Sequence, residues 1–166
     1  MLLLFFMGLL VNMWYNRVVD DLSEIPSAID YFNNELQSAQ KEPKIAGNIE
    51  KNSQEIPGIM SYRFGQLQEI EAILKFLNIK YDKLRSDHYR KYVEHYARVL
   101  SDRSIEKYID GEDDIVSMGM VINEVSLVRN KYLAIIKGLE QKSFQISNII
   151  KLKVYGLELV DIESRG

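Results

Sequence analysis

Between Asn78 and Leu100 the chain reads NIKYDKLRSDHYRKYVEHYARVL, which mixes the cations Lys80, Lys83, Arg85, Arg90, Lys91 and Arg98 with the acids Asp82, Asp87 and Glu94. Flat rings are threaded among them: Tyr81, His88, Tyr89, Tyr92, His95 and Tyr96. Cations hold phosphate oxygens and rings stack on unpaired bases, so the mixture suits single-stranded nucleic acid. Lys80, Lys83, Arg85, Arg90 and Lys91 are the candidate phosphate contacts, and His88 and Tyr89 the candidate stacking groups. The same composition also fits an amphipathic helix whose tyrosines cover the edge of a core while its charges are solvated.

The elements that must position these residues read as helical throughout. With 166 residues, 27% of them charged, and three prolines, the chain fits one domain of mostly α class. Ile59–Leu100 is a long helical candidate in which Leu67, Ile70, Leu74, Leu77, Tyr81, Leu84 and His88 recur at alternating spacings of 3 and 4. Ser101 or Asp102 can cap a short helix through Ile109, which Gly111 would end. Asp113–Lys153 is the second long candidate. Its seam runs Met118, Val121, Val125, Val128, Tyr132, Ile135, Leu139, Lys142, Ile146, Ile149 and Lys153, with a second stripe at Ile115, Ile122, Leu133, Ile136 and Ile150. Two such helices joined by about a dozen residues make an antiparallel hairpin with coiled-coil-like seams the simplest arrangement. Two stripes are more than one neighbour can cover. Val125, Val128, Tyr132, Ile135, Leu139, Ile146 and Ile149 are therefore candidates for an oligomer interface, unless both stripes are buried within one chain.

Upstream, residues 13–58 read as shorter N-terminal helices. Pro26 sits in a first turn, and Ile29, Phe32, Leu36 and Ala39 follow at helical spacing. Pro43 kinks or restarts the helix, and Pro57-Gly58 punctuates the chain before residues 59–166, the hairpin and its tail. Residues 1–11, MLLLFFMGLLV, are apolar but too few for a span that needs roughly 20. No Lys or Arg precedes Arg17, which disfavours a secretory signal. Translation starting at Met13, with residues 1–12 an extension outside the working protein, ranks ahead of a membrane tether.

Charge is unevenly spread behind a net value of -3. Residues 1–58 and 101–114 each balance to -4, while 78–100 carry +3 and 129–153 carry +5. The basic helical segments thus form local patches that the total conceals. No constellation points to catalysis. Glycines are scattered, no Gly-Lys-Ser/Thr run exists, and His88 and His95 lie seven apart without the spacing of a zinc site. Asp110-Gly111-Glu112-Asp113-Asp114 lacks the alternation of a calcium loop, and fits a helix-ending glycine followed by acids at the next helix's positive end. Cysteine is absent, which excludes disulfides and thiolate metal sites. The expectation is a protein with no catalytic residues, no metal and no cofactor.

Lys83-Leu84-Arg85-Ser86-Asp87-His88-Tyr89 resembles the Lys-x-Arg-x-Asp-x-Tyr core of the proposed DNA-binding motif of the UvsY family, the recombination mediators of T-even-type phages. Asp114-Ile115-Val116, the helix after it, and Phe144-x-Ile146-x-x-Ile149 are similar to that family's C-terminal region, and the resemblance spans roughly residues 45–150. The family pattern has apolar residues where Asp82 and Ser86 stand here, and a glycine-containing turn where Arg90–Leu100 continues as helix. The resemblance implies a ring-like homo-oligomer in the cytoplasm of the infected host. It further implies binding to single-stranded DNA and help for a UvsX-like recombinase in displacing the single-strand-binding protein. The reading from the seams alone, a coiled-coil scaffold or adaptor without nucleic acid, stands beside it.

Overall fold

A computed structural model describes residues 14–95 and 100–156; for His95 only the backbone is described. Every described element is helical: α1 Trp14–Asp20, a 3-10 turn Leu22–Glu24, α2 Ile25–Ala39, α3 Ile49–His95, α4 Asp102–Asp110 and α5 Asp113–Val154. No described helix is long and apolar enough to cross a membrane. The expectations for residues 1–12 and for the tail beyond 156 fall outside the described residues.

Contacts gather the described residues into two compact units, those up to 29 with those of 69–129, and those of 30–68 with those from 130 onward. In the first, His88 meets Asp114 and Arg129 meets Glu71, so α3 and α5 run antiparallel there, as the hairpin expectation has it. The turn between them is filled by Ile105, Ile109 and Ile115, against which Tyr81, Leu84, Tyr92 and Leu100 pack. Ser101 caps α4, its side chain accepting from the Ser104 N–H, and Gly111 ends that helix with right-handed backbone. At the other end of this unit, the Tyr15 N–H donates to Glu69 at 3.1 Å.

α3 begins ten residues earlier than the apolar pattern suggests. Gly47 takes a left-handed φ of 71° and Asn48 caps the helix, its side chain accepting from the Lys51 N–H at 3.1 Å. Pro57 lies inside the helix. It forfeits one backbone donor but fixes a helical φ, so it does not end an element flanked by long helical arms. The buried side of α3 also drifts from the expected seam. Ile73 is buried where Leu74 was expected, beside Leu67, Ile70 and Leu77.

In the second unit Tyr132 is fully buried, its ring edge-on to Phe32 at 6.0 Å and its hydroxyl donating to the Phe32 carbonyl at 3.2 Å. Ile29, Phe32, Leu36 and Ala39 are all buried, as their spacing predicts. α2 stops at Ala39, and Pro43 comes to rest against α5 rather than restarting a helix. A Cβ on Gly138 would stand 2.9 Å from the Pro43 Cβ and 3.0 Å from its Cγ. Gly138→Ala is accordingly expected to lose about 1–2 kcal/mol, because crowding a rigid ring outweighs the helix-propensity gain. Gly119→Ala, in open space on the same helix, should instead gain up to about 1 kcal/mol. Urea midpoints of the two variants provide the check.

Candidate nucleic-acid interface

The basic stretch lies on the C-terminal half of α3, and the structure divides its candidate residues into two groups. Lys80, Lys83, Arg90 and Lys91 are exposed, and none of them forms an ion pair among the described residues. Lys80 stands over the Phe76 ring at 5.3 Å. At 100° per residue these four fall within one side of the helix, interleaved with Asp87 and Glu94. Two shallow depressions border them, each of roughly 350 Å³. One is lined by Leu84, Asp87, His88, Arg90, Lys91 and Glu94, and the other by Ser86, Tyr89, Arg90, Val93 and Glu94.

The second group faces inward to the acids of residues 102–114. Arg85 donates to Asp110 at 2.6 Å, and that bond raises the guanidinium pKa further. His88 is buried, with Nε2 at 2.9 and 2.8 Å from the two oxygens of Asp114. The His88 hydrogen bond holds the Asp114 carboxyl below its ordinary 3.8. Tyr89 donates to Asp102 at 3.0 Å, which raises its phenol pKa, and its ring remains partly exposed. Tyr92 donates to Glu112 at 2.5 Å and stacks on Tyr108 at 5.7 Å.

The geometry therefore revises three of the seven expected contacts. Arg85 is occupied by Asp110, the buried His88 ring is not offered for stacking, and Tyr89 sits one residue, about 100°, round the helix from Arg90. The physical reason lies in the hairpin register, which sets the acidic turn opposite this end of α3. Arg98, Tyr96 and the His95 ring lie outside the described residues. No protein-family model, curated protein or solved structure matches this chain.

The other basic segment is also partly spent. Arg129 pairs with Glu71, Lys131 donates to Asn33, and the buried Lys142 donates to the Glu42 carbonyl at 2.9 Å. The last bond explains how a lysine sits on an apolar seam. The expected assembly stripe needs a correction too. Val125, Val128, Tyr132, Leu139 and Ile146 are buried within the single chain, and Ile135 and Ile149 half-buried. The five buried ones are covered by their own chain, while Ile135 and Ile149 keep part of their surface exposed. The large apolar side chains left exposed on the first unit are others, among them Ile79, Val93, Met120 and Leu127.

Two groupings escaped the sequence reading. Glu112, Asp114 and Tyr92 come together around His88 only once the register of α3 against α5 is known. Arg63, in a stretch without any motif, is 3% exposed and binds Glu35, Glu42, Gln66 and Ser38. Its one sequence signal is its place a helical turn before the buried Leu67.

Proposed function

We propose that this protein is a non-enzymatic binder of single-stranded DNA that acts as a recombination mediator. On this reading it loads a phage recombinase of UvsX type in place of the single-strand-binding protein, as a ring-like homo-oligomer. The observation that carries the DNA-binding part is the band of Lys80, Lys83, Arg90 and Lys91, exposed on one side of α3 and without ion-pair partners among the described residues. The mediator role and the ring rest on the resemblance of residues 83–89 to the UvsY motif. Tyr89 lies about 160° round the helix from Lys91 and is bonded to Asp102, so this band assigns it no base contact. Four phosphate contacts on a single strand give a salt slope of about -3 per chain. Such a modest hold gains strength by repetition around an assembly.

Fluorescence anisotropy with a labelled oligonucleotide across a salt series tests the interface. Replacing Lys83, Arg90 and Lys91 together by alanine is expected to flatten the slope by about 2, while Arg85→Ala, already tied to Asp110, changes it little. Wild-type slope in the triple variant would refute the assigned band.

A helical scaffold or adaptor is the second reading, favoured by the exposed Ile79, Val93, Met120 and Leu127. Sedimentation with and without oligonucleotide separates the two, since a scaffold assembles but ignores the strand.

A further inference from the structure

The geometry points to a divalent transition-metal site formed by His88 of α3 with Glu112 and Asp114 at the start of α5. It is independent of the nucleic-acid reading. One ligand atom from each of the three residues lies within 4.8 Å of the others. His88 Nε2 is in hydrogen-bond contact with the Asp114 oxygens at 2.8 and 2.9 Å, and a shift of roughly 0.5 Å would open the donor–donor spacing of about 3.3 Å that a tetrahedral ion with 2.0–2.1 Å bonds imposes.

The acids alone would not define a site, because carboxylates at a helix start are common. Two further features do. First, His88 is 8% exposed and directs its Nε2 at this spot, so an imidazole nitrogen with the wrong softness for calcium or magnesium joins the oxygens. Second, Glu112 is oriented by the Tyr92 hydroxyl at 2.5 Å, as outer partners orient ligating carboxylates. A proton on His88 can serve Asp114 but leaves the neighbouring Glu112 charge to a neutral phenol. A divalent ion would satisfy both carboxylates and the imidazole together, with water completing the coordination. The nitrogen-and-carboxylate set without thiolate suits Zn²⁺, and next Mn²⁺ or Fe²⁺. Bound there, the ion would clasp α3 to the first turn of α5.

The test titrates the full chain with ZnCl₂ by calorimetry at neutral pH in a non-coordinating buffer. One ion per chain is expected. His88→Gln and Asp114→Asn should each weaken binding at least tenfold, and Tyr92→Phe about tenfold through its hold on Glu112. Asp113→Asn, on the same helix start but outside the set, should leave it unchanged. In the unsubstituted protein, Zn²⁺ should shift the ring NMR signals of His88 and not those of His95, which decides the matter even where a variant fails to fold. No binding by the wild type, equal loss in Asp113→Asn, or shifts at His95 alone would overturn the site and leave His88–Asp114 a simple hydrogen-bonded pair.

Discussion

Arg63→Met is expected to lower folding stability by about 3 kcal/mol, since removing the buried partner strands two partly buried carboxylates. The guanidinium donates from Nε and Nη2 to Glu42 at 3.0 and 2.6 Å, and from Nη1 to Glu35 and Gln66 at 2.9 Å. Its side chain is 4% exposed, whereas those of Glu35 and Glu42 are 28% and 20% exposed, which holds the loss at the lower end of the range for buried pairs. Burial pushes the Glu35 carboxyl up, but hydrogen bonds from Gln66, Tyr62 and Arg63 and the guanidinium charge outweigh it and hold it below the ordinary 4.5. A carboxyl with a depressed folded pKa contributes stability above its unfolded value and loses it as pH falls through the folded one. The wild type should therefore weaken as pH drops below about 4.5, and Arg63→Met should show less of that slope. Urea unfolding at several pH values reads both effects. A loss under about 1 kcal/mol would mean the network is no more than a solvated surface cluster.

Tyr132→Ala should cost about 4 kcal/mol, the larger of the two losses, because a fully buried ring leaves a cavity that the helices close only in part. Tyr132→Phe separates the ring from its hydroxyl. It keeps the edge-on contact with Phe32 and loses the bond to the Phe32 carbonyl, for about 1 kcal/mol. Burial raises the Tyr132 phenol pKa, so the hydroxyl stays protonated and donates across the ordinary pH range. Denaturant midpoints of the pair give the partition directly. If Phe and Ala cost the same, the ring is not what holds α2 to α5.

The helices were legible in the sequence wherever apolar spacing carried them. α5 starts at Asp113 as the acidic turn and the seam predict, and α4 has the expected cap at Ser101 and stop at Gly111. The start of α3 was not legible, because Ile49–Gly58 is nearly all polar and its signal, Gly47-Asn48, is a short cap preceding a proline. At the candidate interface, composition picked out the exposed lysines and Arg90 correctly as solvent-facing. It could not tell them from Arg85 and His88, whose partners lie 25 and 26 residues away and become neighbours only through the hairpin register. Arg63 and Lys142 were unreadable for the same reason. A charged residue on an apolar face declares its role only when its distant carboxylate or carbonyl is in place.

The bond from Arg85 to Asp110 means that the chain supplies that cation's counter-ion itself, and the bond from His88 to Asp114 engages the imidazole as well. A polynucleotide arriving at Arg85 would exchange one anion for another, releasing no small ions and gaining no salt-sensitive affinity from that side chain. What a strand can draw from this helix is capped by the cations that α4 leaves bare. Neutralising Asp110 would lift that cap without adding a single basic residue.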